Sequence, residues 1–182
     1  MTTQQYIAFI KLCAENHPAI LHRGKDHPDV LAETTPKNIR FSTDGENVFA
    51  QASGSGSLRV LEFCIVITPT QFDINRQRNN SQIRNIMSLN FEVCKYCEPS
   101  DTDAQNLAQN TAQIIVQDII NEIEYYHFNN LFPFWKNTKL LDNVNGSVTA
   151  GGNNNLYGYR AELPFITPIF GGESHQPFTL NP

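Results

Sequence analysis

Charge is the first thing this chain has little of. Only 17 % of its 182 residues are Asp, Glu, Lys or Arg, and the formal net charge is -5. That balance excludes a broad basic face dedicated to nucleic acid, and equally a disordered acidic tail. Cysteine is scarce, with four in the chain, and no apolar run reaches the roughly 18 residues needed to span a bilayer. A basic start followed by an apolar core is also missing, so neither export nor membrane contact is expected, and the cysteines are read as reduced thiols. Nucleophile-elbow, phosphate-loop, metalloprotease-helix and dinucleotide patterns are missing too. Gly54-Ser55-Gly56 lacks the downstream lysine and helix of a phosphate cradle, and Asp44, Asp142 and the glutamates form no close pair. The expectation is therefore no enzyme, no catalytic residue, no metal and no cofactor.

Amides take the place of charge. Asn and Gln together make up about 17 % of the chain, well above ordinary usage. Neutral hydrogen-bonding surfaces of that kind suit packing against copies of the same chain. At this length one domain can bury a real core without staples.

Local signals agree best between Ile86 and Phe128. Met87, Leu89, Phe91 and Val93 alternate with Ser88, Asn90 and Glu92, the pattern of a strand with one buried face. Glu98 and Pro99 stop it. Ser100, three residues before Asp103, reads as a capping-box-like helix start. Leu107, Ile114, Ile115, Ile119 and Ile123, widened by Val116 and Ile120, then predict a one-sided helix to about Tyr126, of about 25 residues and nearly 40 Å. A sheet packed under that helix is the expected centre of the molecule.

Elsewhere, Thr2 or Thr3 caps a first helix with Tyr6, Ile7, Phe9, Ile10 and Cys13 as its stripe, ended by Pro18 near Asn16. Residues 18–40 are broken by Gly24, Pro28 and Pro36. A strand is expected within Ile39–Ala50, where Asp44-Gly45 marks a turn, and Ser53–Ser57 reads as a flexible connector. Leu58 to Thr68 is nearly continuous in apolar character and predicts a strand covered on both faces. Pro69 to Asn85 is a polar connector too long for a tight hairpin, locally basic through Arg76, Arg78 and Arg84 against Asp73 alone. It reads either as a solvated hairpin arm or as a loop that meets nucleic acid or an acidic partner. Leu131-Phe132-Pro133-Phe134-Trp135 is an aromatic turn suited to core packing or contact. A weak strand within Leu140–Ala150 precedes a last strand of Tyr157, Tyr159, Ala161 and Leu163, stopped by Pro164. The expected organisation is one α+β domain over residues 1–164 and an extended apolar arm over 165–182. In that arm Phe165, Ile166, Ile169, Phe170, Phe178 and Leu180 are the candidate subunit contacts.

Two sets of metal-binding residue types read as structural. Cys94 and Cys97 sit three apart in a strand, which places Cys97 with Val93 and Cys94 with Glu92 on opposite faces. Cys13 and His17 share a helix face, but His22 and His27 fall in the irregular segment.

The order of elements resembles the tail-terminator and tail-completion proteins of tailed bacteriophages, small α+β subunits with an N-terminal helix, a curved sheet and a helix laid on it. The resemblance rests on Leu58–Thr68 with Ile86–Cys97 as a hairpin, on the 103–128 helix and on the Tyr157–Leu163 strand. It implies a mixed or antiparallel curved sheet and a homo-oligomeric ring, usually a hexamer, that caps the tail tube and joins it to the head. The partners so implied are copies of itself, tail-tube or neck proteins, and passing DNA at Arg76, Arg78 and Arg84. The implied location is the virion, after synthesis in the host cytoplasm. The alternatives are a subunit of a phage-derived contractile injection particle, or a soluble adaptor using Phe132 to Trp135 as its contact surface.

Overall fold

The computed structural model describes residues 3–20, 22, 37–38, 40–43, 58–59, 62–67, 75–79, 82–129, 131, 139–140, 144–149 and 155–167. Its helices are α1 (Thr3–Asn16) and α2 (Thr102–Phe128). Its strands are β1 (Lys37–Asn38), β2 (Phe41–Ser42), β3 (Leu58–Arg59), β4 (Cys64–Val66), β5 (Asn75–Asn79), β6 (Gln82–Tyr96), β7 (Lys139–Leu140), β8 (Asn145–Thr149) and β9 (Leu156–Thr167).

The sheet is built on two long strands. β6 and β9 pair antiparallel over twelve rungs, from Asn85↔Thr167 to Tyr96↔Leu156. On the other edge of β6 lie β5, paired to its first residues, and β4, paired to Glu92–Cys94. On the other edge of β9 lie β8 and β7. β2 adds in parallel to β4, which makes the sheet mixed and leaves it open, with the main path β2-β4-β6-β9-β7. This is an α+β fold. β1 and β3 form a separate parallel pair, so the apolar run Leu58–Thr68 is two strands in two sheets and not one. Its second part is, as expected, buried on both faces.

Both helices cover one face. Leu89, Phe91 and Val93 of β6, Ile65 of β4, and Ala161, Leu163 and Phe165 of β9 form a single core with Tyr6, Phe9 and Ile10 of α1 and Ile115, Ile119 and Ile123 of α2. Burying each such side chain contributes about 1.5–3 kcal/mol. α2 begins at an N-cap formed by Asp101, whose Oδ1 accepts from the Ala104 N–H at 2.9 Å. The cap is thus one residue later than the Ser100 expected from sequence, and Asp103 lies in the first turn, where the helix dipole favours it. The buried stripe of α2 holds Ile115, Val116, Ile119, Ile120 and Ile123, as expected. Ala108 and Ala112 lead it, while Leu107 and Ile114, both expected inside, are 67 % and 62 % exposed.

β9 runs through Pro164 to Thr167, which corrects the expected stop. The other edge of β9 is paired to β8 up to Glu162 and to β7 from Phe165. Pro164 therefore falls in a gap between two partners among the described residues, where a missing N–H costs no ladder bond. Phe165, expected in a subunit-contact arm, is fully buried in the chain's own core, edge-on to Tyr6 at 6.3 Å. Ile166 is a rung of the sheet, opposite Ile86 and Lys139. Ile169, Phe170, Phe178 and Leu180 lie outside the described residues, as do Phe132 to Trp135 and the Ser53–Ser57 connector.

Gly158 sits mid-strand opposite Cys94. A Cβ there would overlap the Val93 carbonyl oxygen and stand 2.7 Å from the Cys94 Cα, so only glycine allows β6 and β9 to approach this closely.

Candidate interaction surfaces

Within Pro69–Asn85, residues 75–79 and 82–85 form a hairpin. β5 and the start of β6 pair with Asn79 opposite Gln82, inside what reads in sequence as one long connector. Arg76 pairs with Asn85 and Arg78 with Ile83, whereas Arg84 pairs with Gln77, on the rung between them. Neighbouring rungs belong to opposite faces of a ribbon, so the three arginines are brought to one hairpin but not to one face. β9 pairing begins only at Asn85. Among the described residues, Gln82 to Arg84 are held by β5 alone.

A second surface is the groove between α1 and α2. Pro18 ends α1, and the Asn16 side chain closes its last turn by donating to the Leu12 carbonyl at 2.8 Å. His17 then crosses to the other helix. Its Nδ1 accepts from the Ala19 N–H at 3.2 Å, which assigns the proton of a neutral ring to Nε2, and Nε2 faces Asp118 Oδ2 at 3.4 Å. Below this clasp the groove encloses about 610 Å³, with Phe9, Leu12 and Ile119 as apolar wall and Asp118 and Glu122 at the rim. Cys13 lines it too. Burial first, and the charge of Glu122 second, push its thiol up to about 12, so it stays protonated and is a poor nucleophile or metal ligand.

Cys94 and Cys97 separate as the strand pattern requires. Cys97 packs in the helix-side core and donates to the Ala104 carbonyl, while Cys94 joins Cys64, Val66 and Leu156 on the other side of the sheet. Burial raises all three buried thiols. His22 lies 5.6 Å from the Phe41 ring, and His27 is outside the described residues. Among the described residues no three His, Cys, Asp or Glu are gathered as a metal site, and no helix is long and apolar enough to cross a membrane.

No protein-family model matches the chain, and neither does any curated protein or solved structure.

On the far face of the sheet, Glu92 corrects the one-sided reading of β6. It is 5 % exposed, and its neighbour Cys94 is fully buried. Desolvation raises the Glu92 pKa, against a hydrogen bond from Thr149 and the charge of Arg160, its cross-strand neighbour. Among the described residues its Oε1 has no hydrogen-bond partner. Arg160 also donates to Asn90 at 2.9 Å once the amide is oriented to satisfy both of its ends. Alternation alone places Glu92 in water with Ser88 and Asn90. The signal that could have corrected this is Cys94, an apolar residue on the supposedly wet face.

The outer side of α2 is apolar at intervals. Leu107, Ile114 and Phe128 share multiples of seven residues, and Phe128 is 85 % exposed, with Tyr125 beside it at 57 %. Leu107 also borders a recess of about 390 Å³ with Phe63 and Lys95, the Lys95 Nζ lying 5.7 Å from the Phe63 ring centroid.

Proposed function

We propose that this chain is a structural subunit that assembles with copies of itself, in the role of a phage tail-terminator, tail-completion or neck ring. The observation that carries the reading is the outer face of α2. Leu107, Ile114, Tyr125 and Phe128 lie more than half exposed along one long helix, and repeated large apolar side chains on an ordered surface are the usual mark of a contact. An open sheet and an amide-rich composition suit the same end, since edges and neutral polar surfaces are covered by neighbours in a ring. In this reading about six copies cap the tail tube and meet neck or tube proteins. DNA passes through the lumen, and the mature protein resides in the virion. The α+β fold with one long helix laid on a mixed sheet fits that role.

The experiment is solution mass by light scattering across a concentration series, followed by negative-stain images, with and without purified tail tubes. Rings of about six copies are expected. A strict monomer under all of these conditions, tubes included, rejects the assembly role and leaves a single-partner adaptor.

A further inference from the structure

Charge in this protein is sorted between two elements. Residues 75–86 carry Arg76, Arg78 and Arg84 and no acid, whereas α2 carries Asp103, Asp118, Glu122 and Glu124 and no Lys or Arg. We propose that the β5–β6 hairpin of one copy docks into the α1–α2 groove of the next. The idea rests on the ring assembly above and names the contact that would close it.

Four observations support this choice of occupant. Among the described residues the end of the hairpin is paired only within itself, and a two-stranded ribbon so held is marginal in water. Lodging it against a second surface would hold it. Arg76, Arg84 and Arg78 stand on three successive rungs, register positions that belong to both faces of the ribbon, which suits a cleft with two walls better than a flat patch. The groove has that form, with Leu12 of α1 and Ile119 of α2 for aliphatic stems and Asp118 and Glu122 for guanidinium heads. Finally, the two surfaces differ and belong to one chain, so their pairing is head-to-tail, the geometry that closes rings. A net charge of -5 favours this acidic partner over nucleic acid as the hairpin's target.

The test is charge reversal in the full chain, read by light scattering with circular dichroism to confirm folding. One variant carries Arg76→Glu, Arg78→Glu and Arg84→Glu, and the other Asp118→Lys and Glu122→Lys. Glu122→Lys alone serves as a milder form that leaves the His17–Asp118 contact in place. Each variant by itself should lose at least about tenfold in the association constant, equivalent to about 1.4 kcal/mol. Mixing the two in equal amounts should restore rings of alternating copies, because each reversed hairpin then meets a reversed groove. Wild-type rings together with undiminished assembly of both folded variants would overturn the hairpin contact and leave the ring role standing. So would a mixture that stays dissociated, or arginine variants that lose duplex DNA retention while their rings persist. A wild-type chain that never assembles would remove both ideas.

Discussion

The two faces of the β6–β9 ladder are made by the same strands and follow different rules. On the helix side, Leu89, Phe91, Val93, Ala161, Leu163 and Phe165 are all buried and all apolar. On the other side, Cys64, Val66, Cys94 and Leu156 form a small buried cluster beside Glu92, and Arg160, directly opposite Glu92 on the ladder, is exposed. The first face is stabilised by volume and area, so it tolerates little loss of either. The second balances burial against charge, so its stability depends on pH.

Truncation of the first face should have the largest effect. Phe91→Ala removes a fully buried ring from the middle of the core and should cost about 4 kcal/mol, measured by urea unfolding. A cost below about 1 kcal/mol would mean that the helix side can collapse around the cavity, and the contrast between the faces would fail.

Next comes the spacing that both faces share. Gly158→Ala forces a methyl group against the Val93 carbonyl and Cys94 Cα, and should cost about 3 kcal/mol, at the upper end of overpacking. Amide exchange should rise along both β6 and β9. Exchange confined to β9 would show that the ladder yields on one side only.

The smallest effect separates the faces most sharply. Burial raises the Glu92 pKa above its ordinary value of 4.5, so the folded state binds the proton more tightly than the unfolded one. The cost of the buried charge is therefore fully present above the folded pKa, and it is relieved as pH falls through that value toward 4.5. Glu92→Gln should stabilise by about 1 kcal/mol at neutral pH, and the gain should fade on acidification. Melting temperatures of the two proteins at pH 7 and pH 4 would show it. An equal gain at both values would mean that shape, not ionisation, is the cause.

How much of this is legible in sequence follows from how local each cause is. Alternation at Leu89, Phe91 and Val93, the Pro18 stop of α1 and the placement of Cys94 and Cys97 on opposite faces depend on one strand or helix at a time, and all appear in the structure. Helical spacing finds Ile115, Val116, Ile119, Ile120 and Ile123 of the α2 stripe but also admits Leu107 and Ile114, which lie outside it, since spacing identifies apolar residues but not which flank the sheet lies under. The hairpin arginines were visible as a basic segment. Their distribution over three successive rungs required the Asn79↔Gln82 register. The groove required two helices distant in sequence, joined by His17 and Asp118 across 101 positions.

The sequence by itself determined the α+β class, the long strand and helix at its centre and the apolar face that each turns to the core, because these arise from backbone geometry and burial within single elements. Tertiary structure alone decided that Phe165 belongs to the core, that Glu92 is enclosed, that Pro164 falls between two edge partners, and that Asp118 and Glu122 border a groove shared with α1. Each of those depends on which strand or helix lies alongside, and that is settled by packing between distant segments rather than by the residues on either side.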